Sequence, residues 1–131
     1  MKIKLVSIHV DDQEKAAAFY GDVLGFTKRH DLDVGGGFRW LTFVSPDGHD
    51  DVELVLEPNA NPVAKAYQEG LLEQGIPAAA FEVDDIDAEH RRLVERGVAF
   101  TSAPRQEGPV RLAVFADTCG NLVQIYQPPA R

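Results

Sequence analysis

Glu53 stands in the otherwise apolar stretch Val52-Glu53-Leu54-Val55-Leu56. A carboxylate in such surroundings can have its pKa raised toward neutrality and act as a general base without a metal. Gln124 holds a comparable place in Leu122-Val123-Gln124-Ile125-Tyr126, as a neutral oxygen donor. His9 and Glu82 each precede a valine and an Asp-Asp pair, adding an imidazole and a second carboxylate to the polar set. Arg39 and Trp40 are neighbours in Phe38-Arg39-Trp40-Leu41-Thr42-Phe43-Val44. Arg39 offers an anion or hydrogen-bonding contact, and Trp40 a flat stacking wall. Alternation along a strand puts them on opposite faces, and the sequence does not say which faces a site.

Other chemistries are excluded or weak. Cys119 is the single cysteine, so no intramolecular disulfide and no cysteine-based zinc cluster can form. No basic residue flanks it to lower its pKa, and it reads as a structural thiol. Ser7, Ser45 and Ser102 lack the strand-turn-helix elbow of a nucleophile. Gly35-Gly36-Gly37 lacks the Lys and Ser/Thr of a phosphate-binding loop and reads as a tight turn or lid. His30 and His49 sit in polar, turn-like surroundings, which predicts solvent exposure. His90, among Glu89, Arg91 and Arg92, reads as a helix-surface residue.

The positioning elements follow from periodicity and punctuation. Residues 3–10 alternate as a strand, and Asp11, Asp12 and Glu14 form a capping-box pattern opening a helix that Gly25 terminates. Residues 26–30, 38–44 and 52–57 read as strands, separated by the triple glycine and by Pro46-Asp47-Gly48. A connector over residues 59–77 holds a helical stretch near 63–73 that Gly70 should interrupt. The same order then returns: strand 78–83, a helix from Asp84 to Gly97, and strands at 98–101, 110–116 and 122–127.

The return is a repeat. Ile8-His9-Val10-Asp11-Asp12 matches Phe81-Glu82-Val83-Asp84-Asp85 at an offset of 73, Phe26-Thr27 matches Phe100-Thr101 at 74, and Gly25 and Gly48 match Gly97 and Gly120 at 72. Glu53 then falls opposite Gln124. The expected architecture is α+β, one domain over 1–131 built of two tandem βαβββ units, residues 1–58 and 78–131, with curved mixed sheets forming a cup.

Composition agrees with a globular domain and narrows its partners. The chain has 131 residues, 44% hydrophobic and 26% charged, enough to bury a core without staples. Thirteen basic against twenty-one acidic residues leave a net charge of −8. That balance argues against nucleic acid and against an anionic membrane surface. No apolar run approaches a membrane span, and Asp11 and Asp12 come too soon for a secretory signal. The expectation is a soluble, cytoplasmic protein.

Two stretches resemble the signatures of the vicinal oxygen chelate superfamily, which contains glyoxalase I, bleomycin-resistance proteins and extradiol dioxygenases. They are Val10 to Phe26, centred on Ala16-Ala17-Ala18-Phe19-Tyr20-Gly21, and Phe115-Ala116-Asp117-Thr118-Cys119-Gly120-Asn121-Leu122-Val123-Gln124-Ile125. In its metal-dependent members, two side chains from first strands and two from last strands hold a divalent ion that grips two substrate oxygens. Carried over residue by residue, those positions fall on Leu5, Glu53, Ala78 and Gln124. Leu5 and Ala78 have no lone pair to offer, so only Glu53 and Gln124 could coordinate. His9 lies four residues beyond Leu5 on the same strand face, about 13 Å along the strand. It is a pocket or interface histidine, or a ligand only of a rebuilt site.

Two functions follow from the resemblance. One is a homodimeric cup that binds a small, partly aromatic or cationic molecule without chemical change and without a cofactor. Its ligand contacts would be His9, Arg39, Trp40, Glu53, Glu82 and Gln124. The alternative is a metal-dependent lyase, isomerase or dioxygenase of the glyoxalase I type, with Glu53 catalytic and a divalent metal in a rebuilt site.

Overall fold

The computed structural model describes residues 1–130. The chain divides into two compact units, one ending at Gln68 and the other beginning at Glu69.

The first unit runs β1 (Leu5–Val10), α1 (Gln13–Ala17), a π-helical turn (Ala18–Val23), β2 (Thr27–Gly35), β3 (Phe38–Val44) and β4 (Glu53–Pro58). Its sheet has the order β1-β4-β3-β2, with β1 parallel to β4 and the other pairs antiparallel. The helix starts where the sequence predicts, but Asp12 is the cap: its Oδ1 accepts from the Lys15 amide at 3.0 Å. Ala16, Phe19 and Tyr20 turn inward and are buried, as are Ile8, Val10, Leu41, Phe43, Leu54 and Leu56. Each large side chain so buried contributes roughly 1.5–3 kcal/mol. Gln13, also buried, joins helix to sheet. Its Nε2 donates to the carbonyls of Arg39 (2.7 Å) and Leu56 (2.9 Å), and its Oε1 accepts from the Arg39 amide at 3.0 Å.

The second unit runs β5 (Ala79–Glu82), α3 (Ile86–Glu95), β6 (Phe100–Glu107), β7 (Val110–Ala116) and β8 (Leu122–Gln127), in the order β5-β8-β7-β6. Asp85 caps α3 by accepting from the Ala88 amide at 3.1 Å. The β7–β8 turn is built on Asp117, which is fully buried. Its carboxylate accepts from the amides of Cys119 (2.7 Å) and Asn121 (3.0 Å) and from Asn121 Nδ2 (2.8 Å).

The two tandem βαβββ units of an α+β fold are therefore present, as expected. Three local readings need correction. β2 and β6 are longer than the sequence indicated, because β2 carries exposed polar residues that blur alternation and β6 is bulged. The connector helix α2 (Pro62–Gln74) continues through Gly70 without a break, since a lone glycine costs a helix only about 1 kcal/mol. The first helix is not uniformly α. Between its first residue and its terminating glycine the first unit has one residue more than the second, Gln13 to Gly25 against Ile86 to Gly97. The extra residue is absorbed as the π turn, in which the Leu24 amide donates to the Phe19 carbonyl, five residues back, at 2.9 Å.

Candidate functional site

Phe43 fixes which face of the first sheet is which. A Cβ built on Gly21 of the π turn would lie 3.2 Å from the Phe43 ring, so Phe43 faces the helix. Alternation then sends Arg39 and Leu41 to that face as well, and Trp40 and Thr42 to the opposite, open face. Strand register extends the open face. His30 pairs with Thr42, Leu32 with Trp40, Thr42 with Val55, and Leu5 with Glu53.

These pairings put Glu53, Thr42, His30 and Trp40 on one face and bring the first three together. The β3–β4 register sets Trp40 opposite Glu57, so the indole lies four residues, about 13 Å, along the strand from the level of Glu53. Thr42 Oγ1 donates to Glu53 Oε1 at 2.8 Å, and His30 Nε2 lies 3.5 Å from the same oxygen. Thr42 is completely buried, while the side chains of Glu53 and His30 remain 18% and 43% exposed. Leu5 and Leu32, half-exposed, add hydrocarbon beside the polar trio. The arrangement offers a flat indole wall, an apolar margin, and one carboxylate oriented by a hydroxyl and an imidazole. A planar organic molecule of several fused rings, long enough to span that distance and carrying a hydrogen-bond donor, would meet both kinds of contact there.

Arg39 does not join this group. It lies on the helix side, where Nε and Nη2 donate to Asp31 at 2.8 and 2.6 Å and Nη1 donates to Glu14 at 2.7 Å. Lys28 Nζ donates to Asp31 at 3.0 Å. The hydrogen bond from Arg39, followed by that from Lys28, holds the Asp31 carboxyl well below the usual carboxylate range. The Asp31 carboxylate in turn raises the Arg39 guanidinium further above its ordinary value. Arg39 thus ties β2, β3 and α1 together on the face away from Trp40.

His9 is not beside Glu53. It pairs in register with Glu57, four residues along β4, and its carbonyl accepts from Gln68 Nε2 at 2.9 Å. The imidazole at Glu53 belongs to His30, which ends the strand expected over residues 26–30, lies within β2, and keeps its side chain 43% exposed while one nitrogen approaches the carboxylate. His90 departs from the surface reading: it stacks edge-on against Phe100 at 4.5 Å.

In the second unit, Gln124 pairs with Ala80 and Val114, and exposed Glu82 pairs with Tyr126. Gln124 does not occupy the register of Glu53. Thr42 and Val114 correspond at an offset of 72, and their β4 and β8 partners are Val55 and Gln124. The residue in Glu53's register is Leu122, whose carbonyl accepts from the Ala78 amide at 2.8 Å. The cause is the preceding loop: residues 45–52 are eight, residues 117–121 only five, so the repeat offset falls from 72 to 69.

A divalent ion of the kind the resemblance implies would draw on positions 5, 53, 78 and 124. Leu5 and Ala78 are hydrocarbon, and Glu53 Oε1 is already held by Thr42. Among the described residues, no three His, Cys, Asp or Glu side chains gather in a metal-holding group. The donors present do not fit a four-ligand centre.

Sequence reasoning missed His30 and Thr42. Thr42 lies two residues from Trp40 and so shares its face, a signal that was available. The bulge between Lys28 and His30, which sets the face of the imidazole, leaves no mark in the sequence.

Comparison with known proteins agrees with this architecture. The family described as Glyoxalase/Bleomycin resistance protein/Dioxygenase superfamily matches residues 2–125. The uncharacterized protein YurT of Bacillus subtilis (strain 168) is 53% identical over 127 residues, covering 97% of this chain and 99% of YurT. The crystal structure of UcmS2 superposes with a TM-score of 0.82 at 30% identity, covering 96% of this chain and 97% of that one. That of TnmS3, an antibiotic binding protein from Streptomyces sp. CB03234, has a TM-score of 0.77 at 32% identity, with coverage of 98% and 96%. No helix among the described residues is long and apolar enough to cross a membrane.

Proposed function

The chain belongs to the Glyoxalase/Bleomycin resistance protein/Dioxygenase superfamily, and from that membership we propose that it is a cytoplasmic binding protein. It captures a small, flat, partly aromatic organic molecule on the open face of the first sheet and releases it chemically unchanged. Trp40 supplies the stacking surface, Leu5 and Leu32 the apolar margin, and Glu53, oriented by Thr42 and His30, accepts a hydrogen bond from the ligand. No resident metal takes part. The chain acts as a homodimer, the half-exposed hydrocarbon of this face being the kind of surface that association covers.

The observation that carries this reading is the one face shared by Trp40 and Glu53, in which the carboxylate is backed by a neutral hydroxyl and its register neighbour is Leu5. Antibiotic binding by TnmS3, at 32% identity over nearly the whole chain, supports it. A second reading, a lyase, isomerase or dioxygenase, is favoured by the approach of His30 to Glu53 at 3.5 Å. That pair has the elements of a general base with a proton partner.

Trp40 is the only tryptophan, so its fluorescence reports on the site directly. The test titrates the protein with a set of polycyclic aromatic antibiotics, following emission and recovering each compound by mass spectrometry. Saturable quenching with the compound recovered unchanged is the expected result. Recovery of a chemically altered compound at more than one equivalent per protein would replace the binding reading with the enzymatic one.

A further inference from the structure

The first unit has a second concavity, on the helix side of its sheet and therefore away from Trp40 and Glu53. It is a cavity of about 290 Å³ between the helical segment and strands β2 and β3. Ala17 and Gly21 line it from the helix, and Phe26 and the almost fully buried Phe43 complete its apolar lining. Its charged lining is Glu14, Asp22 and Lys28.

The second unit provides an internal control. At the repeat offset of 73, Ala17 corresponds to His90, and by strand register Lys28, paired with Phe43, corresponds to Phe100, paired with Phe115. His90 and Phe100 pack edge to face at 4.5 Å. The space that a side chain fills in one unit is left open in the other, because the first unit places a methyl group where the second places an imidazole. The π turn begins at the next residue, Ala18. Such turns inside α-helices are frequent at functional sites.

The lining also selects a ligand. Glu14 already accepts from Arg39 at 2.7 Å and the Lys28 ammonium is hydrogen-bonded to Asp31 at 3.0 Å, so the preference for a cation is carried by Asp22. Aromatic rings beside carboxylates form the surroundings in which organic ammonium groups bind. We propose that this cavity is a second binding site, for a small organic monocation with an aromatic or short apolar body. The ammonium faces Asp22, and the apolar body lies against Phe26 in the space that Ala17 leaves. A site of this size, open on one side, suits a ligand of about eight to twelve heavy atoms held at a Kd on the order of 1 mM.

The test uses the intact protein, isotope-labelled, with benzylammonium, benzyl alcohol and benzoate as probes in amide chemical-shift titrations. Benzylammonium should shift the amides of Gly21, Phe26 and Phe43 saturably, with benzyl alcohol about tenfold weaker and benzoate weaker still. Ala17→His, which copies the second unit, should abolish the shifts. Asp22→Asn, an exposed change that leaves the cavity open, should weaken benzylammonium about fivefold without altering benzyl alcohol. Benzoate binding as tightly as benzylammonium would overturn the proposal. So would the absence of saturation at these amides in the unaltered protein, or an unchanged affinity in both variants. If Ala17→His does not fold, Asp22→Asn decides alone. Trp40 emission, which reads the opposite face, should stay unchanged throughout, so that failure here is separable from failure of the antibiotic-binding reading.

Discussion

Thr42 and Glu53 meet across β3 and β4 through a 2.8 Å hydrogen bond, the threonine fully buried and the carboxylate partly open. Glutamine at position 53 keeps an oxygen for the threonine to donate to but removes the charge. Glu53→Gln should therefore change the urea midpoint little, by about 0.5 kcal/mol or less. Affinity for a neutral aromatic ligand should be nearly intact, while that for a cationic one falls about tenfold. Fluorescence titration of both ligand types checks this, and equal losses for the two would refute it.

Gln13 makes three hydrogen bonds to the backbone of β3 and β4 from a buried position. Gln13→Leu fills the same volume but leaves an amide and two carbonyls unsatisfied. The expected loss is about 2–4 kcal/mol in chemical denaturation. Gln13→Glu should lose a comparable amount, since a carboxylate can accept from the Arg39 amide but cannot donate to the carbonyls. A loss below about 1 kcal/mol in both variants would show that water replaces the bridge.

Asp31 gives the fold an acid limit. Its carboxyl is held below the ordinary range in the folded protein by Arg39 and Lys28, whereas in the unfolded chain it titrates near 4. The contribution is therefore fully present above about pH 4 and is lost as pH falls below it, because the unfolded state takes up the proton first. Asp31→Asn should lower stability at neutral pH and flatten the decline below about pH 4. Melting curves across that range test the slope; an unchanged acid slope in the variant would mean that other carboxylates dominate.

Thr118 adopts φ 64°, the left-handed region that β-branched residues avoid. The Asp117 carboxylate enforces it by accepting from the amides of Cys119 and Asn121, which folds the chain back at Thr118. Thr118→Gly removes the strain and should raise stability by about 0.5–1 kcal/mol, net of the added flexibility of the unfolded chain. Thr118→Val, which keeps the branch and drops the hydroxyl, should give no such gain. Thermal melts of the pair settle the matter.

The repeat made the fold legible because apolar spacing, caps and glycines recur together in both halves. The site was legible in part. Glu53 and Trp40 were named from residue type and strand pattern. His30 was passed over because a bulge at residue 29, invisible in sequence, decides which way its ring points. Arg39 looked like a ligand contact because alternation leaves the choice of face open, and a partner eight residues away, Asp31, resolves it. Gln124 was matched to Glu53 by an offset of 71, but three extra residues in the loop before β4 move the true counterpart to Leu122. Loop lengths are cheap to change, and a register argument carried across one inherits its error.

The π turn carries a consequence for how this chain tolerates length change. One residue added to an α-helix rotates everything beyond it by about 100°, which would swing the apolar stripe out of the core. Here the wider turn takes up the surplus, so Tyr20 keeps its place inside while Gly25 still closes the helix as Gly97 does in the other half. Excising a single residue between Ala18 and Val23 would be a mild lesion, leaving a plain helix of the second unit's length. The same excision from α3 has no slack to draw on and would throw Leu93 out of phase.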